Sequence, residues 1–194
     1  MKVKTHFVGI TAACAALTAA LALSASAADT GLYFDASAGP NFTDADELDV
    51  GFRFSAGVGY NLNKYWGVEF DTGWAWNKFD SGGDSSYSQL PFMVNVVYRY
   101  PIGAKFETYI GGGVGGVYAI LDIDDNFTND DDGDVLFGWQ AIAGVRYIIS
   151  ETMSVGIGYK YLGTSEGEFE IAGGKATTEV LNNHTFGAVF NWKF

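Results

Sequence analysis

Thiols, histidines, prolines and basic side chains are all scarce in this chain of 194 residues. Its only cysteine, Cys14, falls in the opening segment behind Thr11-Ala12-Ala13, a poor lipoprotein box. Once that segment is removed no thiol remains, which excludes disulfides, zinc–thiolate sites and cysteine nucleophiles. His184 is the one histidine beyond the opening segment. There are three prolines and no proline-rich or serine-rich linker, so one domain is expected. Lysine and arginine number 11 against 23 aspartates and glutamates, a formal charge of −12. An anion of this size is a poor partner for nucleic acid. Past residue 27 no apolar run is long enough to cross a bilayer as a helix, so any crossing falls to strands.

The opening segment has its own pattern. Met1 to Ala27 carries Lys2 and Lys4, an apolar stretch from Ala12 to Leu23, and the small-residue ending Ala25-Ser26-Ala27. It reads as a secretory signal peptide cleaved before Ala28, being too short and alanine-rich for a retained anchor. Residues 28–194 then form the mature domain, with a charge of about −14 by the same counting.

Beyond it, eight stretches alternate with the period of two that marks strands, and none has a convincing helical period. They run Gly31 to Gly39, Phe52 to Tyr60, Trp66 to Trp76, Leu90 to Tyr100, Phe106 to Leu121, Val135 to Ile149, Met153 to Tyr161 and Thr185 to Phe194. In the third, Trp66, Val68, Phe70, Thr72, Trp74 and Trp76 share one face, while Gly67, Glu69, Asp71, Gly73 and Ala75 share the other. The fifth contains a run of glycines, and Phe106, Thr108, Ile110, Val114, Tyr118 and Ile120 are assigned to its bulky face. Short links at Asn61 to Lys64, Pro101 to Lys105 and Ser150 to Thr152 alternate with long ones at Pro40 to Asp49, Asn77 to Ser88, Asp122 to Asp134 and Gly163 to Asn183. An even count with tight turns at one end and long loops at the other is the pattern of a transmembrane barrel, whose two termini would lie in the periplasm.

Two soluble architectures also alternate. A lipocalin-like barrel keeps its large apolar residues inside around a ligand, and a β-sandwich needs polar outer faces. Here the polar face is built from glycines and opposite charges suited to a tight interior, and the aromatic face suits lipid with aromatic girdles. The expected fold is therefore an all-β, eight-stranded antiparallel up-and-down transmembrane β-barrel.

The signal-like start, Tyr109-Ile110-Gly111-Gly112-Gly113-Val114-Gly115, Gly156-Ile157-Gly158-Tyr159-Lys160-Tyr161-Leu162, and the ending Thr185 to Phe194 together resemble the small bacterial outer-membrane β-barrel proteins. That family includes the opacity, adhesion/invasion and OmpA-type barrels, and the resemblance covers about Ala28 to Phe194. It implies that the last strand, with Gly187, Phe190, Trp192 and Phe194, is the assembly signal. The barrel assembly machinery would read it, and periplasmic chaperones would escort the unfolded chain.

Three groups of residues could carry function. In a narrow lumen Arg53, Arg99, Arg146 and Lys160 need partners, and Asp35, Glu69 and Asp71 are the available carboxylates, with Glu107 a further candidate. A static network plugging the barrel is favoured over a gated pore, because eight strands leave an interior just filled by side chains. Second, seventeen of the 23 acidic residues fall in the four long links, against Lys78 and Lys175. The third link alone holds Asp122, Asp124, Asp125, Asp130, Asp131, Asp132 and Asp134. Calcium would suit such oxygens, but an EF-hand count from Gly133 puts Thr128 and Trp139 at the first and twelfth ligand positions, so a solvated acidic surface is favoured. Divalent cations could still bridge it to lipopolysaccharide. Third, a lipid A-modifying enzyme needs a serine beside its histidine, and the same-face neighbour of His184 on its strand is Phe186.

The expectation is thus an outer-membrane protein with a structural and surface-interaction role through acidic extracellular loops. A narrow channel or small-molecule transporter is the alternative, with a lipid A-modifying enzyme behind it. No catalytic residue, metal or cofactor is assigned. Its partners are outer-membrane lipids, lipopolysaccharide and the assembly machinery, and an extracellular ligand has no chemistry in the sequence to name it.

Overall fold

A computed structural model describes residues 30–45, 47–79, 85–125, 128–171, 174–178 and 181–194, with the side chains of 121–134 and 167–180 outside the description. The expected signal segment lies outside the described residues. The strands are β1 (Gly31–Thr43), β2 (Gly51–Asn61), β3 (Trp66–Lys78), β4 (Ser86–Ile102), β5 (Phe106–Asp125), β6 (Thr128–Ile148), β7 (Met153–Thr164), β8 (Gly167–Ile171), β9 (Gly174–Thr178) and β10 (Asn182–Lys193). Eight of them close a barrel in the order β1-β10-β7-β6-β5-β4-β3-β2. Every neighbouring pair in it is antiparallel, and β10 returns to β1 from Tyr33↔Lys193 to Thr43↔Asn183.

Alternation along each strand becomes inside and outside. On β3 the even-numbered bulky residues from Trp66 to Phe70 are exposed, while Gly67, Glu69, Asp71, Gly73, Ala75 and Asn77 are buried. On β5 the bulky face assigned from the sequence points out: Phe106, Ile110, Val114 and Tyr118 are exposed, and Glu107, Tyr109 and Val117 are buried. Aromatics gather at the short-turn end in cross-strand and same-strand pairs, with ring centres 4.9 Å apart for Trp66 and Tyr98, 5.4 Å for Phe106 and Tyr147, and 5.4 Å for Trp192 and Phe194.

The three tight turns are held locally. Asn63 accepts from the backbone N–H groups of Tyr65 (2.8 Å) and Trp66 (2.9 Å) between β2 and β3. Ser150 Oγ accepts from the Met153 N–H (3.1 Å) between β6 and β7. Gly103, at φ 66°, supplies the left-handed residue between β4 and β5, a conformation glycine adopts at no steric cost.

The long links are shorter than the sequence pattern implies. β1 runs on through Pro40 to Thr43; the proline interrupts its ladder to β10, which skips from Ala38↔Ala188 to Asn41↔Thr185, while the ladder to β2 is unbroken at Pro40↔Phe52. A missing N–H costs one ladder and leaves the other. Pro91 does the same on β4, where pairing with β3 skips from Thr72↔Phe92 to Ala75↔Gln89. The acidic third link is largely a β-ribbon, pairing Asp122↔Asp131, Asp124↔Asn129 and Asp125↔Thr128. The fourth contains a second hairpin, β8 with β9. Aspartate and glycine disfavour strands in isolation, but continuous pairing from the barrel below overrides a weak local preference.

Two inward tyrosines explain part of the glycine content. Tyr33 is fully buried and lies across its ladder partner Gly59, where an added Cβ would sit 2.1 Å from the ring. Tyr109 covers Gly144 and Gly158 in the same way, its hydroxyl oxygen 2.5 and 2.4 Å from those Cβ positions. Gly112 points out and would place a Cβ no nearer than 3.5 Å to anything. Gly59→Val is expected to cost about 3 kcal/mol by overpacking, read as a lower urea midpoint for the refolded barrel, whereas Gly112→Val leaves the midpoint in place.

Candidate functional site

Among the described residues the inward faces of the eight strands pack the lumen in layers. At the short-turn end Arg146 reaches Asp35 on β1 (2.6 Å) and Glu107 on β5 (3.5 Å). Its guanidinium lies 4.1 Å from the centre of the Tyr109 ring, and a cation over an aromatic face gains further attraction when desolvated. Asn191 donates to Asp35 (3.4 Å), and Lys193 approaches Glu107 from the rim (3.9 Å). Nearby, Arg99 donates to Asn61 Oδ1 (2.7 Å) and stacks 4.3 Å over Tyr33.

The middle layer is a chain of charges and amides. Lys160 donates to both oxygens of Asp71 (2.9 and 2.8 Å). Gln140 donates to Asp71 (3.0 Å) and to Asn95 (3.2 Å), and accepts from Arg53 Nη2 at 3.0 Å. Arg53 is 1 % exposed, Asp71 1 % and Arg146 2 %, so these charges are removed from bulk water. Three buried cations, Arg53, Arg99 and Arg146, and the part-buried Lys160 face four buried carboxylates, Asp35, Glu69, Asp71 and Glu107. The described interior is formally neutral, which limits the desolvation cost of placing it between lipid walls.

The long-loop end changes character. Asn41 donates to Asn77 Oδ1 (2.8 Å) and Asn183 Oδ1 (3.0 Å) and accepts from Thr185 (2.7 Å), a belt of amides tying β1, β3 and β10. Apolar contacts fill the rest of this end: Met93, Val117 and Leu162 are all fully buried together. Tyr87, Ala119 and Leu136 form the outermost cluster, with Leu48, Phe79 and Leu181 from three different links packed against it. Leu48 and Phe79 also bridge through their backbones. Apolar side chains thus gather at the long-loop end.

Every lumen residue picked out in the sequence is thus on the inward face, but the pairing differs from the one expected. Of the four cations picked out in the sequence, Arg146 and Lys160 are the two that meet carboxylates among the described residues. Arg53 is held by an amide, Gln140, and Arg99 by an amide and a ring, while Glu69 makes no ion pair among the described residues. Sequence reasoning missed Asn61, Asn95, Gln140, Asn41, Asn77 and Asn183 as partners, although most of them fall in phase with the charges on their strands. Gly187, Phe190, Trp192 and Phe194 lie on or just beyond β10, with Trp192 and Phe194 exposed at the short-turn rim. His184 faces outward, its Nδ1 2.8 Å from the Tyr159 hydroxyl on β7 rather than against Phe186 alone. The acidic side chains of 122–134 lie outside the described residues, and the calcium reading with them.

A closed, filled barrel with a bulky apolar exterior is a membrane-spanning barrel by construction. A family model described as outer membrane protein beta-barrel domain matches residues 11–194. The chain belongs to that family, whose place is the bacterial outer membrane. A search of curated proteins gives no match. Among solved structures, Neisserial surface protein A is 17% identical and matches over 84% of this chain and 97% of its own, with a TM-score of 0.64. The outer membrane protein OprG from Pseudomonas aeruginosa is 15% identical over 86% and 98%, with a TM-score of 0.51. Ail, the attachment invasion locus protein of Yersinia pestis, solved with the heparin analogue sucrose octasulfate, is 14% identical over 84% and 98%, with a TM-score of 0.50. At these identities the likeness is one of fold.

Removing one member of a buried ion cluster leaves the others uncompensated. Arg146→Ala is expected to destabilise the barrel by about 3–5 kcal/mol. Lys193→Ala, at a half-exposed rim position, costs less than about 1 kcal/mol. Urea unfolding in detergent micelles checks both.

Proposed function

We propose that this chain is a structural and surface-interaction protein of the outer membrane, with its acidic long-loop end outside the cell, both termini in the periplasm and no catalytic role. The observation that carries the reading is the axial separation of charge. The described lumen is neutral and internally bonded, while seventeen acidic residues fall in the long links. Lys64, Lys105 and Lys193 against Glu151 are the charges near the opposite rim among the described residues. Charge of one sign at one end acts outward on whatever approaches, over a screening distance of about 10 Å at 0.1 M salt.

The sign also selects the partner. Ail is recorded with a sulfated heparin analogue, but a loop surface as acidic as this one repels sulfated chains and attracts cationic protein surfaces, or divalent cations shared with lipopolysaccharide phosphates. Catalysis finds little support at His184, whose bonded neighbour is a tyrosine. Conduction is disfavoured by the apolar cluster at the long-loop end and by the cross-links between Arg53, Gln140, Asp71 and Lys160 inside the lumen. We further propose that β10, with Gly187, Phe190, Trp192 and Phe194, serves as the assembly signal, since its pairing with β1 closes the barrel.

Replacing Asp122 to Asp134 by a two-residue turn is expected to reduce binding of a cationic test protein to whole cells severalfold, and salt is expected to weaken the binding of the unaltered protein. Unchanged binding refutes the role given to these loops. The purified protein is expected to be silent in planar bilayers; reproducible conductance steps would establish the channel reading instead.

A further inference from the structure

Polar atoms buried in the lumen without a partner are unevenly divided between donors and acceptors. Among the described residues six are nitrogen donors and two are hydroxyls, against one carbonyl oxygen, that of Gln89. Buried polar groups are otherwise almost all bonded, so each exception calls for a partner. Three of the six donors lie in the middle layer: Nε and Nη1 of Arg53, and Nδ2 of Asn95. Ser55, whose hydroxyl is also unpartnered, is the next inward residue after Arg53 on β2, about 7 Å along the strand. Gln140 ties the group together, accepting from Arg53 Nη2 at 3.0 Å and donating to Asn95 Oδ1 at 3.2 Å. Arg53 is 1 % exposed, Ser55 3 % and Asn95 0 %.

Charge is out of balance at the same place. Arg53 and Lys160 have one carboxylate between them in the middle layer, Asp71. Both of its oxygens accept from Lys160, and one accepts from Gln140 as well. Glu69, which makes no ion pair among the described residues, stands opposite Gly59, six residues along β2 from Arg53, or about 20 Å of strand. Asp35 and Glu107 are taken up by Arg146. The described lumen is neutral as a whole, but its positive excess lies at Arg53 and its negative excess toward the short turns.

We propose that the lumen binds one small monovalent anion, chloride, against the Arg53 guanidinium, with the Ser55 hydroxyl and Asn95 Nδ2 as its further donors. A hydrogen bond from an ionised donor to an anion is stronger than one between neutral groups, and here it compensates a buried charge. Chloride accepts from every donor around it and brings no hydrogen that must itself be bonded. Water brings two, and Gln89 Oε1 is the one carbonyl acceptor left for them among the described residues. Water also leaves the arginine charge uncompensated, the costly state for a buried ion. Phosphate and organic carboxylates are too large for an interior filled by the side chains of eight strands. Because the wall is closed, the ion is enclosed as the sheet folds and becomes part of the interior, without passing through it.

The full chain, refolded from urea into detergent micelles with sodium bromide in place of chloride, is crystallised and the bromide located by its anomalous scattering. One peak is expected inside the barrel, in contact with the Arg53 guanidinium and the Ser55 hydroxyl. In solution the urea midpoint is expected to be higher in sodium chloride than in sodium gluconate of the same ionic strength, since gluconate is too large to be enclosed. Arg53→Met is expected to abolish both the peak and the difference between the two salts. Ser55→Ala keeps the arginine and decides the matter if the first variant fails to fold; it is expected to lower the peak severalfold. Heat-modifiable mobility on gels confirms that each variant has folded. Bromide at surface lysines only, water in place of the ion at Arg53, or equal midpoints in the two salts overturns the proposal. So does an undiminished peak in either folded variant.

Discussion

The backbone ladder between β1 and β10 joins the two ends of the domain, and the rest of the structure depends on it. In hydrocarbon there is no water to satisfy an open strand edge, so a sheet can enter a membrane only after its last strand has found its first. Closure fixes which face of every strand looks inward, because a slip of one residue would exchange the two faces along the whole strand. It also brings Asp35 on β1 against Asn191 on β10 and places Asp35 within reach of Arg146. The lumen network is therefore a product of closure, and it could not form on any open fragment of the sheet.

Once closed, eight strands leave too little room for a water-filled passage, and the charges of the interior find their partners within the barrel in two ways. Where cations and carboxylates are both present they pair, as at Arg146 and Lys160. Where they are not, amides and rings take over, as Gln140 does for Arg53 and Tyr33 for Arg99. Glycines make the space: Tyr33 and Tyr109 can lie flat across the lumen because Gly59, Gly144 and Gly158 carry no side chain beneath them. Packing and polarity are thus linked, since the same tyrosines that need glycine neighbours also hold the guanidinium groups.

Much of this was legible in the sequence. Strict alternation in the third stretch put Glu69 and Asp71 opposite Val68 and Phe70 before any fold was known, and the structure places them so. Even the glycine-rich fifth stretch resolved, because Phe106, Ile110, Val114 and Tyr118 keep one phase through the glycines. What was not legible depended on partners distant along the chain. Arg53 and Gln140 are 87 positions apart, and nothing local says that an amide rather than a carboxylate will meet that arginine. The reach of the hairpins was hidden for a related reason. Pro40 and the aspartates after Leu121 are poor strand residues, but a neighbouring strand already in register carries them along. The bond between Tyr159 and His184 is hidden in the sequence because it crosses from β7 to β10, a ladder that periodicity along one strand cannot show.

A dry lumen inside a closed wall that faces lipid can be observed directly on β4 and β5. In the protein reconstituted in lipid, nuclear Overhauser contacts from valine methyl groups report their surroundings without any substitution. Val94 and Val96, 53 % and 49 % exposed, should show contacts to acyl-chain protons, while Val97 and Val117, both fully buried, should show contacts to protein side chains alone and none to water or lipid. Acyl-chain contacts at Val97 or Val117 would contradict the assignment of faces, and water contacts there would contradict the filled lumen.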